Sequence, residues 1–83
     1  MSHVFPEVGL IALLEYIDAA AVEINDDLIE WCTKHKGEDN DYERHSAAMR
    51  ARELYQLVKY FNLTLPLDVS TLIGDLMTNR LFY

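Results

Sequence analysis

"EWCTKHKGEDNDYERH", residues 30–45, decides the fold. It holds the only tryptophan, the only cysteine and two of the three histidines, amid a crowd of carboxylates. It reads either as a chemical site or as the turn between two helices. The flanking sequence favours the turn. Lys34, His35 and Lys36 suit the negative end of a helix dipole, and Gly37 suits a left-handed residue just past it. Asn40 with Glu43 three residues on has the form of a capping box opening a second helix.

Upstream, Leu10, Leu14, Ile17, Ala21, Ile24, Leu28 and Trp31 recur in alternating steps of four and three. That heptad seam runs through Asn25-Asp26-Asp27 without a break, so it predicts one helix over about 6–36, with Pro6 in its first turn. Such a helix is roughly 45 Å long at 1.5 Å per residue. Downstream, Ala47, Ala51, Leu54, Val58 and Phe61 repeat the spacing and predict a helix over about 41–62. A shorter helix over about 68–80 follows. Asp68 is its candidate cap, Leu67 and Leu72 its hydrophobic staple, and Val69, Leu72, Ile73, Leu76 and Met77 its apolar stripe. Gly74 weakens it by roughly 1 kcal/mol relative to alanine.

Folding the two long helices about Gly37-Glu38 brings their seams into register. The layers are Leu28–Ala47, Ile24–Ala51, Ala21–Leu54, Ile17–Val58 and Leu14–Phe61, with Asp27 and Arg50 on matching flanks. Every layer pairs two seam residues, and two layers set large against small. The expected fold is therefore all-α: one domain, 1–83, built as a long antiparallel helical hairpin plus a shorter C-terminal helix, with dimerisation into a helical bundle expected.

Length and charge bound the function. A chain of 83 residues is one domain at most, and its core is thin, burying roughly 60–65% of the extended surface. Yet 51% of its residues are apolar and 11% aromatic, which leaves apolar surface to spare. The net charge is −7. It is uneven: residues 1–41 carry ten acids and two bases, and residues 42–83 carry four acids and five bases. This balance argues against direct binding of nucleic acid or anionic membranes and favours a basic protein surface as partner. Glu15 and Asp18 interrupt the run "VGLIALLEYIDAAA", which has no basic segment before it, so neither a leader peptide nor a membrane span is expected. A single cysteine allows no internal disulfide, and the expected location is cytoplasmic.

Candidate sites follow from the same pattern. Cys32, His35 and His45 offer sulfur and nitrogen ligands to a metal or polar groups to a small ligand, and this turn cluster is the alternative reading of function. It supplies only half of the paired ligand spacing that a structural zinc site uses, so no metal or cofactor is expected. Cys32 with either histidine lacks the supporting groups of a nucleophilic site, so no catalytic residue is assigned and the protein is not read as an enzyme. Arg44, Arg50 and Arg52 fall close together beside an acidic helix, where they balance charge. The acids Glu15, Asp18, Glu23, Asp26, Asp27 and Glu30 lie off the seam and form the candidate partner-binding face. Ile11, Leu13, Tyr16, Ala20 and Leu57, with the terminal Leu81, Phe82 and Tyr83, form the candidate apolar surface for a second copy or a partner's groove contact. The functional expectation is a small acidic adaptor, inhibitor or regulator that acts by protein–protein interaction. One variant occupies a target's nucleic-acid-binding surface by mimicry.

Overall fold

The computed structural model describes residues 7–78, with side chains from residue 9 onward. Three helices follow in order: α1 (Glu7–Lys34), α2 (Asp41–Tyr60) and α3 (Leu67–Met77), with no strand among the described residues. They pack on one another as an all-α fold, 51 × 19 × 17 Å in extent. The helix over 6–36 is found over 7–34, that over 41–62 over 41–60, and that over 68–80 over 67–77. Residues 79 and 80 lie outside the described range, as do Pro6, Leu81, Phe82 and Tyr83.

The two seams form the core. Ile17, Ala21, Ile24 and Leu28 of α1 are buried, as are Ala47, Ala51 and Leu54 of α2. Leu14, Val58 and Phe61 are half-buried, so the seam loosens toward the open end of the hairpin. Arg50 Nη1 reaches Asp27 Oδ2 at 3.5 Å, tying the helices on their flank. Helix α3 contributes Val69, Ile73 and Leu76 to the same core, with Leu72 and Met77 packed around it.

The turn is closed by backbone geometry. Glu38 N–H donates to His35 C=O at 3.1 Å, with Gly37 at φ +84° as the third residue of the turn. That position favours glycine because any Cβ there is strained. Three local expectations need correction. Asn40 forms no capping box with Glu43: at φ −114°, ψ 16° its side chain makes no cap bond. It points its amide at Cys32 Sγ, 3.5 Å away, while Asp39 Oδ1 accepts the Asp41 N–H at 3.0 Å. Asp68 is not the cap of α3. Pro66 takes that place, because its fixed φ and missing N–H suit a helix start, and Asp68 falls in the first turn, favourable to its charge. Leu67 is 82% exposed and staples nothing.

The end of α2 uses a device that the sequence reading passed over. Asn62 sits at φ 52°, Leu63 N–H donates to Val58 C=O at 2.9 Å, and Asn62 N–H donates to Lys59 C=O at 3.2 Å. This is a Schellman motif with asparagine as its left-handed residue, and Leu63 and Val58 are its apolar pair. It reverses the chain so that α3 returns along the hairpin. Tyr55 and Val58 of α2 line one cleft with Ile73, Gly74 and Met77 of α3. Ser46 and Arg50 of α2 instead line a groove with Ile24, Asp27 and Trp31 of α1. At 3.6 residues per turn these two sets on α2 lie roughly 130° apart. Helix α3 therefore covers one face of the hairpin, and the groove marks the other.

Candidate functional site

The outer face of α1 collects the acids. Glu15, Asp18, Glu23, Asp26 and Asp27 surround Ala19 and Val22 on a single shallow surface, and each carboxylate is exposed. The spacing explains this: residues 15, 18, 22 and 26 follow one stripe of the helix, opposite the seam. Two of the six predicted acids are engaged within the chain. Asp27 pairs with Arg50, and Glu30 Oε1 accepts a 2.8 Å bond from Lys34 Nζ one turn on. That hydrogen bond, and behind it the ammonium charge, holds the Glu30 carboxyl below the ordinary glutamate value and the Lys34 ammonium above the ordinary lysine value. Glu15, Asp18, Glu23 and Asp26 have no ion-pair partner among the described residues. They span about 16 Å along the axis at 1.5 Å per residue.

The apolar candidates divide. Leu13 and Ala20 of α1 and Leu57 of α2 are half-buried and pack against the core. Tyr16 is 58% exposed and Ile11 50%. Leu81, Phe82 and Tyr83 lie outside the described residues. The sequence reading missed Tyr42, Met49 and Tyr60, which α2 exposes on the side away from its seam. Their spacing of seven and eleven residues was the available signal, since it repeats a helical stripe.

The turn cluster does not assemble as a site. Cys32 is buried, with the Asn40 amide donating to its sulfur. His35 stacks on Trp31 with ring centroids 4.4 Å apart, and its Nδ1 lies 2.8 Å from Glu38 Oε2. His45 stands exposed on α2 and does not line the hollow that Cys32, His35 and Glu38 share. Among the described residues no three Cys, His, Asp or Glu side chains converge to hold a metal ion.

Among the described residues no helix is long and apolar enough to cross a membrane. No family model matches the chain, and no curated protein or solved structure is significantly similar to it.

Proposed function

We propose that this chain is a non-catalytic docking protein: an acidic helical adaptor, inhibitor or regulator that works in the cytoplasm as a homodimer and binds a basic surface of another protein. The observation that carries this reading is the stripe of Glu15, Asp18, Glu23 and Asp26, exposed and without a cationic neighbour among the described residues. Carboxylates held on one rigid helix keep a fixed spacing. They attract a complementary basic patch over roughly 8–10 Å at moderate salt and lose that reach as salt rises. Ala19 and Val22 between them give the partner a small dry centre. Where the target's patch itself binds nucleic acid, the stripe competes with the phosphates.

The test is affinity capture with the full chain beside a variant carrying Glu15→Gln, Asp18→Asn, Glu23→Gln and Asp26→Asn. A protein retained by the wild type, lost with the folded variant and released by salt supports the proposal. A partner held equally by both chains at every salt concentration removes it. Competition between the captured protein's nucleic acid and this chain separates mimicry from simple bridging.

A further inference from the structure

The cleft between α2 and α3 has the dimensions and lining of a small-molecule site. Helix α3 turns one stripe toward it, Ser70, Ile73, Gly74, Met77 and Thr78, at helical spacings of three and four. Helix α2 contributes Tyr55 and Val58, and the linker between the helices adds Leu63, Thr64 and Leu65. The cleft holds about 480 Å³ and opens to solvent along one side. Sites for small molecules run from roughly 300 to 1,000 Å³.

Gly74 supplies the room. Glycine is the poorest helix former after proline, yet Gly74 lies inside α3. Among the described residues Gly37 is the glycine at positive φ, so no special backbone conformation requires Gly74. A Cβ there would meet nothing within 4 Å, so no close helix contact requires it either. Its effect is to leave the middle of the α3 stripe without a side chain, as a ligand lying against the backbone needs.

The lining selects the ligand. No Asp, Glu, Lys, Arg or His is among the groups that line the cleft, and Lys59, over the Tyr55 ring at 5.6 Å, stays outside them. A charged ligand would lose its water there and gain no counter-charge. Val58, Leu65 and Ile73 offer apolar surface, and the Met77 thioether and Tyr55 ring suit contact with a flat ring. Thr78 Oγ1 donates to the Gly74 C=O at 2.9 Å and is engaged. The hydroxyls of Tyr55, Thr64 and Ser70 make no hydrogen bond among the described residues, so one of them can serve a polar group on the ligand. We propose that this cleft binds a neutral small molecule built on a flat apolar ring system. Such a ligand touches both α2 and α3, so it holds α3 on the hairpin and raises Tm as its concentration rises. No residue of α1 lines the cleft, so this site and the acidic stripe can fail separately.

Titration of the full chain with N-phenyl-1-naphthylamine, a neutral ring compound that fluoresces in apolar surroundings, tests the proposal. Saturable one-to-one binding is expected, with a ring-current shift of the Met77 methyl signal in the NMR spectrum. Gly74→Leu fills the cleft and is expected to weaken binding by about tenfold or more, with helix content unchanged by circular dichroism. The sulfonated analogue 1-anilinonaphthalene-8-sulfonate, compared at high salt where net charge is screened, is expected to bind more weakly than the neutral probe. No saturable binding, equal binding by a folded Gly74→Leu variant, or a wild-type Met77 signal that does not move overturns the site. Equal affinity for the sulfonate overturns the neutral class of ligand. The four-carboxylate variant is expected to bind the probe as the wild type does, and its loss of the probe would overturn the placement in this cleft.

Discussion

Lys34 takes one carboxylate out of the pool open to a partner. Its 2.8 Å bond to Glu30 is local, one helical turn long and fully exposed. Lys34→Ala should let the Glu30 carboxyl rise toward its ordinary value, measurable by a carbon-detected NMR titration. The sign is fixed: with the folded value depressed, the pair helps α1 at neutral pH, and its contribution is lost as the pH falls through that value. An unmoved Glu30 titration would show that the pair does not form in solution. Gly74 offers a second residue-scale test. A Cβ built there meets nothing within 4 Å, so Gly74→Ala should add about 1 kcal/mol and raise Tm by roughly 4–8 °C in a domain this small. A lower Tm would mean that the cleft beside α3 is filled. The residue scale is also where sequence reading failed. Asn40 could turn its Oδ1 to the backbone N–H groups that follow it or its amide N–H to the sulfur of Cys32, and the structure shows the second arrangement. Asn62 carried no flag because asparagine serves equally in loops, caps and left-handed corners.

Helices were legible because period is a collective signal. Leu10 through Trp31 repeat across many turns, and no single misplaced residue, not even Asn25-Asp26-Asp27, disturbs the count. Ends were less legible, since each depends on one or two bonds. The buried layers allow a sharp contrast within α1. Ile24 is buried at the centre of the hairpin, and Asp26, two positions on, is exposed. Ile24→Asp should unfold the chain at room temperature, because an unpaired buried charge costs several kcal/mol in a thin core. Asp26→Ala should change the thermal midpoint by no more than the scatter between preparations, since exposed substitutions stay within about 0.5 kcal/mol. A cooperative melt for Ile24→Asp equal to the wild type would place the seam elsewhere.

At the scale of the molecule, the acidic stripe was readable from spacing, and so was one of its pairings. The register of the two seams set Asp27 and Arg50 on matching flanks, and the packing of α2 alongside α1 brings them to 3.5 Å while Asp26 stays exposed. The two faces of the hairpin were not told apart in this way. Their residues alternate along both helices, and which face stays open is decided by where the Schellman turn at Asn62 sends α3. The proposed binding of a basic partner by the acidic outer face should weaken steadily as salt rises, and an affinity that does not change with salt would rule out steering by these carboxylates.

The thiol of Cys32 gives the molecule a clock. It is the only sulfhydryl, is buried, and lies behind Asn40 where the turn joins α1 to α2. A thiol reagent reaches it only when that end of the hairpin opens. The rate of labelling under native conditions therefore measures the opening free energy of the turn end, while amide exchange at Ala21 and Leu54 measures that of the centre. A labelling rate far above the exchange rate would show a hairpin that frays from its turn. Equal rates would show that the turn and the centre open together as one unit.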